Sequence, residues 1–331
     1  MNAALLLDHL CVSYRSPTGS VPALRDVSLA LYDDEILGLV GESGSGKSTL
    51  AQAVMRLLEP DAADIRGRVM VGDRDLYGLT ESELRQLRWR DVAMVFQSSM
   101  NALNPVLSVQ DHFTDTFWAH FPTMGLADIR RKTAVLLEQV RLSPRVAQSY
   151  PHELSGGMRQ RVVIALSLAL NPRVLILDEP TTALDVVVQR SILGQVAALQ
   201  RERRLAVLLI SHDFTLVSSL AHRVAVMYAG ELMEITDRET GLENTMPHHP
   251  YTTGLINATP RIFDDQVRIE GIPGEPPDMA HLPVGCSFYD RCPKRLSICR
   301  TTPLPQYESR TYIRCHVVGT QRVEGDLAHE R

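Results

Sequence analysis

Lysine is nearly missing from this chain. Lys47, Lys132 and Lys294 stand against 31 arginines among 34 basic residues, so each lysine draws attention to its position. Aromatics make up only 5%. No long apolar run occurs either. The longest, Val162–Leu170, is broken by Ser167 and is far short of the roughly 20 residues that cross a bilayer. The opening Ala3–Leu7 is too short for a secretory leader, lacks a basic flank and meets Asp8. Surplus positive charge is absent: the net charge is −5, which argues against a nucleic-acid-binding surface. These absences lead us to expect a soluble protein in a reducing compartment. The chain has 331 residues, 44% of them apolar, enough for about two domains with a sizeable core. Of its five cysteines, Cys11 stands alone and reads as a small buried apolar residue. Cys286, Cys292, Cys299 and Cys315 fall in one 30-residue stretch, which in such a compartment suggests metal more than disulfides.

The patterning alternates between two periods. Ala4–Ser13 and Leu24–Leu31 read as strands around a turn at Thr18–Gly19–Ser20. Glu35–Val40, Val92–Phe96, Val174–Leu177, Leu205–Ile210 and Arg223–Tyr228 read as short buried strands. Leu50–Leu58, Leu126–Val140, Arg159–Leu170 and a stretch ending near Arg203 read as helices. Alternating strands and helices predict an α/β fold with a mainly parallel sheet. After about Thr240 the composition shifts: ten of the 19 prolines lie in the last 91 residues, which excludes long regular helix there. We therefore expect a first domain over residues 1–240 and a loop-rich extension over 241–331, with a frayed last dozen residues.

Gly41-Glu-Ser-Gly-Ser-Gly-Lys47-Ser48 matches the phosphate-binding pattern G-x-x-x-x-G-K-[ST] between a predicted strand and a predicted helix. Gly41, Ser43, Gly44, Ser45 and Gly46 let the backbone wrap with its N–H groups turned inward, and the helix start adds positive potential. Lys47 reaches phosphate oxygens, Ser48 offers a hydroxyl to Mg²⁺, and Thr49 follows in the same turn. Asp178 ends an apolar run and suits the Mg²⁺ shell; Glu179 follows and can act on an attacking water. His212 ends the next run, at the sheet edge where doubly wound folds bind ligands.

Leu154-Ser-Gly-Gly-Met-Arg-Gln-Arg161 resembles the signature motif of ATP-binding-cassette (ABC) ATPases. The other motifs fall in that family's order over roughly residues 5 to 235. The resemblance implies a P-loop NTPase cassette: a RecA-like core, an antiparallel β-subdomain and a helical subdomain over about residues 98–160. It implies that Tyr14 stacks on adenine and that Gln97 sits near Mg²⁺ and couples to membrane subunits. It also implies that Ser155, Gly156 and Gly157, with Asp185 of Ala183-Leu-Asp185, address ATP on a second cassette, whether a copy or a homologue. The N-terminal amides of the signature helix form an anion-binding surface consistent with that role. Arg159 and Arg161 read as structural or surface pairs.

The tail carries a second resemblance. His248-His-Pro-Tyr-Thr252, Ile272-Pro-Gly-Glu-Pro-Pro277 and Gly285-Cys-Ser-Phe-Tyr-Asp-Arg-Cys-Pro293 are similar to the C-terminal region of oligopeptide and dipeptide importer ATPases, a subfamily that includes some nickel importers. Phe96-Gln-Ser-Ser-Met-Asn-Ala-Leu-Asn-Pro105 fits the same subfamily. The resemblance implies an ATPase at the cytoplasmic face of the inner membrane, with two permease subunits, an indirect link to an extracytoplasmic solute-binding protein and no nucleic acid. The four cysteines are spaced x5, x6 and x15, without the C-x₂₋₄-C pair usual for structural zinc. Some relatives carry a 4Fe–4S cluster there, and the resemblance implies one on Cys286, Cys292, Cys299 and Cys315. Zinc, or an empty or disulfide-linked set, stays open. His248 and His249 read as loop residues. Nickel or another small solute as cargo, and a soluble ABC protein acting on DNA or ribosomes, are the competing functions.

Overall fold

A computed structural model describes residues 3–17, 19–97, 102–182, 184–238, 247–258, 271–305 and 310–318. Expectations at Thr18, 98–101, Ala183, the 240/241 boundary, Pro260 and the last dozen residues lie outside the described residues.

In chain order the elements are β1 (Ala3–Ser16), β2 (Gly19–Tyr32), β3 (Ile36–Val40), α1 (Lys47–Val54), β4 (Ala63–Val71), β5 (Arg74–Asp75), α2 (Glu81–Leu87), β6 (Val92–Val95), α3 (Val109–His120), α4 (Leu126–Gln139), α5 (Gly156–Ser167), β7 (Val174–Asp178), α6 (Val186–Arg203), β8 (Ala206–Ile210), α7 (Phe214–Leu220), β9 (Arg223–Tyr228), β10 (Glu231–Asp237), α8 (Pro250–Asn257), α9 (Ile298–Thr301) and β11 (Tyr312–Ile313). They form two compact units. One comprises Met1–Leu6, Leu31–Ile36 and Val69–Ile210; the other comprises Leu7–Ala30, Leu37–Arg68 and Ser211–Arg331.

The first unit holds the parallel order β8-β7-β6, with Leu177 opposite both Val95 and Leu209. Every residue of these three strands is buried, as expected of parallel strands covered on both faces, and this is why they read as unbroken apolar runs. α4, α5 and α6 are tied by long cations. Arg161 on α5 donates to Val140 O and Gln195 Oε1, each at 3.2 Å, and to Ser191 Oγ at 3.0 Å. Arg203 at the end of α6 donates to Asn171 Oδ1 at 2.9 Å and to Gln139 Oε1. The expected structural role of Arg161 is therefore met. α5 begins and ends three residues before the predicted helix, because the signature glycines themselves form its first turn.

The second unit holds the order β11-β10-β9-β3 and, in its other strands, β2-β1-β4. β9 runs parallel to β3 and antiparallel to β10, where the register shifts between Leu232 and Glu234. β10 escaped the sequence reading because it buries two carboxylates. Glu231 accepts from Ser287 Oγ at 2.6 Å and Arg25 Nη1 at 3.3 Å. Glu234 pairs with His248 Nδ1 at 2.6 Å and accepts from the His249 N–H at 2.8 Å. A buried charge is tolerated only with such partners. α1 begins at Lys47 and ends before Arg56, whose φ of 50° breaks the helix short of the predicted Leu58. Cys11 is half-buried, and its Sγ accepts from the Asp26 N–H at 3.2 Å, so it is a hydrogen-bonding surface-strand residue rather than a core one.

α3 was also unread, since its residues mix polar and apolar without clean periodicity. Its start is set by a capping box: Ser108 Oγ accepts from the Asp111 N–H at 3.2 Å, and the Asp111 carboxylate accepts from the Ser108 N–H at 3.0 Å. The Ser108 hydroxyl and N–H hold the Asp111 carboxyl below the usual carboxylate range. A lowered folded-state value gives stability that is present above the unfolded pKa and lost as pH falls through the folded one. Ser108→Ala is expected to cost about 1 kcal/mol at neutral pH, read as a lower urea midpoint, with the difference from wild type shrinking under acid.

Candidate functional site

The loop after β3 is shaped by glycine and by one lysine. Gly46 has φ 104°, and a Cβ there would lie 2.6 Å from the Ala23 carbonyl oxygen, so no other residue fits without shifting the backbone. Gly44 takes φ 76° at the exposed tip beside exposed Ser43. Lys47 is buried, and its ammonium donates to Gly41 O at 2.8 Å, Glu42 O at 2.7 Å and Ser45 Oγ at 3.2 Å. The loop is thus coiled around a cation. α1 starts there with no capping side chain and no acid in its first turn, so its positive end is not offset locally. Ser48 and Thr49 are half-buried in that turn, and Thr49 Oγ1 lies 3.2 Å from Tyr14 Oη. Coiled amides, a helix start and a lysine together make an anion-binding concavity suited to phosphate.

The remaining acids and signature residues lie in the first unit. Asp178 is buried at the end of β7. Glu179 turns out of the strand with φ 46°, an uncommon conformation for a residue with a side chain. Its N–H donates to Ile210 O at 3.0 Å. Its Oε2 accepts from Gln97 Nε2 at 3.1 Å and from Thr182 Oγ1 at 3.0 Å. The structure therefore brings Gln97 and Glu179 together, 82 residues apart in sequence. Thr182 was missed by sequence reasoning; its position three residues after Glu179 was the available signal. The hydroxyl of Ser155 caps α5 through the Met158 N–H at 3.3 Å, and the Asp185 carboxylate caps α6 through the Val188 N–H at 2.9 Å. Gly156 and Gly157 form the first turn of α5, where a Cβ on Gly157 would lie 2.8 Å from Val188 Cγ1. His212 is exposed in the second unit, before the α7 cap Asp213.

In the tail, Cys286, Cys299 and Cys315 are buried and Cys292 is half-buried, all as free thiols. Burial pushes the Cys286 thiol up to about 12, and the neighbouring Cys315, Cys292 and Cys299 add to the shift. The Cys286 N–H donates to Cys299 O at 2.7 Å, which sets those two residues side by side. Yet among the described residues no group of three or more His, Cys, Asp or Glu is placed to hold a metal ion. The geometry of the described residues therefore supports neither the expected 4Fe–4S cluster nor the zinc alternative. His248 and His249 serve structure: His248 pairs with Glu234, and His249 Nδ1 caps α8 by accepting from the Tyr251 N–H at 3.1 Å. Burial pushes His249 down to about 3, which keeps that nitrogen an acceptor. Sequence reasoning also missed three residues that meet at the loop, Glu42, Tyr251 and Arg291; separations of 209 and 249 residues left no local signal.

A family model described as "ABC transporter" matches residues 24–182, and one described as "Oligopeptide/dipeptide transporter, C-terminal region" matches residues 233–299. The chain is 37% identical over 321 residues to a protein of Caldanaerobacter subterraneus subsp. tengcongensis named "Dipeptide transport ATP-binding protein DppD", covering 96% of this chain and 98% of that one. The chain belongs to the ABC transporter ATP-binding family. A second ABC relative, "Oligopeptide transport ATP-binding protein OppD" of Escherichia coli (strain K12), is 40% identical over 304 residues, covering 91% of this chain and 89% of that one. Among solved ABC structures, the post-hydrolysis dimer of the cassette MJ0796 bound to ADP and Pi superposes with a TM-score of 0.63 at 28% identity, covering 71% of this chain and 98% of that one. The cassette fold expected from the signature is thereby established. Among the described residues no helix is long and apolar enough to cross a membrane.

Gly46→Ala is expected to leave the far-ultraviolet circular dichroism near wild type while abolishing measurable ATP binding by calorimetry, because the Cβ must displace the Ala23 carbonyl or the loop.

Proposed function

We propose that this chain is the ATP-hydrolysing subunit of an importer of dipeptides or oligopeptides. The observation that carries the reading is that proteins named as dipeptide and oligopeptide transport ATP-binding proteins match it over nine-tenths of its length, tail included. The cassette would occupy residues 1–240, with its helical subdomain at about 98–160, and the importer-type extension residues 241–331. The chain would work at the cytoplasmic face of the membrane, against two permease subunits, with a solute-binding protein delivering cargo from outside.

In this reading the triphosphate lies on the Gly41–Thr49 loop, its oxygens taking the loop amides and the Lys47 ammonium, with Tyr14 against the adenine. Ser48, Asp178 and Gln97 supply hard oxygen donors of the kind Mg²⁺ takes, and the ion, when bound, neutralises charge on the β- and γ-phosphates. Glu179 orients or deprotonates the attacking water. Its carboxylate is suited to that role because Gln97 and Thr182 fix one oxygen by hydrogen bonds. The water oxygen forms a bond to the γ-phosphorus as the bond to the ADP oxygen breaks, and the water's proton passes to Glu179 or to phosphate. His212 would hydrogen-bond the γ-phosphate. Ser155, Gly156, Gly157 and Asp185 would address the ATP held by a second cassette.

Glu179→Gln is expected to keep ATP binding and to lower turnover by about 100-fold or more, measured as phosphate release at saturating ATP. Near-normal turnover contradicts the assignment.

By the tail's resemblance to importer ATPases, the cysteines would hold a 4Fe–4S cluster, which needs no C-x₂₋₄-C pair, rather than zinc. No step of hydrolysis passes through it. Anaerobically purified protein is expected to contain about four irons and about four sulfides per chain. One zinc without sulfide reverses the assignment.

A further inference from the structure

Glu42, the second residue of the phosphate loop, is held at three points. Its carbonyl accepts from Lys47 Nζ at 2.7 Å. Its N–H donates to Tyr251 Oη at 2.9 Å. Its carboxylate takes both arms of the Arg291 guanidinium, Nη1 to Oε2 at 2.7 Å and Nη2 to Oε1 at 3.0 Å. Two of these three anchors come from the proline-rich tail. The Arg291 side chain is only 6% exposed, against 27% for that of Glu42. The guanidinium is fixed from behind: Nε donates to Pro273 O at 2.9 Å, and the cation lies 5.8 Å from the ring centres of both Tyr228 and Phe288. Tyr251 is fully buried, and its ring lies tilted against that of Tyr228, with ring centres 4.6 Å apart. Desolvation pushes its phenol up, so it stays neutral and can accept from the Glu42 N–H.

A carboxylate inside an anion-binding loop is an electrostatic liability. Left unpaired, it repels phosphate and competes for Lys47. A two-armed arginine cancels that charge and fixes the direction of the carboxylate. We propose that Arg291 is a positioning residue for nucleotide binding: through Glu42 it holds the phosphate loop open to a triphosphate and sets the Lys47 ammonium. The inference rests on the reading that this loop binds ATP. It gives the tail a direct part in the nucleotide site.

The test is a double-mutant cycle on the full chain, with Mg-ATP binding by calorimetry and steady-state hydrolysis read together. Arg291→Gln is expected to weaken ATP binding and raise KM for ATP about tenfold, with kcat changed by less than about twofold. Adding Glu42→Gln to Arg291→Gln is expected to recover most of the affinity, because it removes the stranded carboxylate. A role for Arg291 confined to anchoring the tail would leave the double variant as weak as the single one, and that result overturns the proposal. Equal ATP affinity in Arg291→Gln and wild type overturns it too. If Arg291→Gln fails to fold, Arg291→Lys replaces it: the charge stays and the fork is lost, with about threefold weaker ATP binding expected, and affinity equal to wild type overturns the proposal. A wild-type chain that binds no ATP removes the underlying reading as well, whereas wild-type binding without the Arg291 effect removes this inference alone.

Discussion

The loop from Gly41 to Lys47 closes around one ammonium, and much of the second unit is arranged to hold that closure. Lys47 Nζ bonds two loop carbonyls and the Ser45 hydroxyl, so the backbone must turn its amides the other way. That curvature requires the positive φ of Gly44 and Gly46. It also requires a rigid lead-in, which β3 supplies with five buried residues, and a backing strand, β9, in parallel register with it. The Gly230 N–H donates to Ser45 O at 3.0 Å, which pins the loop to the turn after β9. One of only three lysines in an arginine-rich chain suits this place. A compact ammonium fits inside a tight coil where a planar guanidinium does not.

The tail solves a folding problem by attaching to the same unit. Its described helices are eight and four residues long, too little regular structure for a core of its own. It orders instead around the side chains of β9 and β10. Tyr228, Tyr251 and Phe288 pack edge and tilt against one another. Glu231 and Glu234, which would be costly alone, are satisfied by Arg25, Ser287, His248 and the His249 amide. Tail and loop are therefore packed as one body, with Glu42 as their meeting point.

Much of this was legible from residues alone, for identifiable reasons. β3, β7, β8 and β9 are buried on both faces and show as apolar runs. The phosphate loop shows because its geometry demands particular residues at fixed spacing. β10 did not show, because its buried acids look like surface. Helix starts at Lys47 and Gly156 did not show either, because functional motifs occupy first turns with poor helix formers. Thr182 and Arg291 were invisible for another reason: their roles come from tertiary contact with Glu179 and Glu42, which periodicity does not encode. The cysteines were read as a metal set from spacing and resemblance, and no group placed to hold a metal ion appears among the described residues.

Lysine 47 is the point on which the nucleotide reading stands, so equilibrium binding of Mg-ATP to wild type and to Lys47→Ala tests it most directly. The coiled loop predicts clear binding by wild type and a loss of about 100-fold or more in the variant, since both the phosphate cation and the loop's internal anchor are removed. Equal affinity in the two proteins would contradict it.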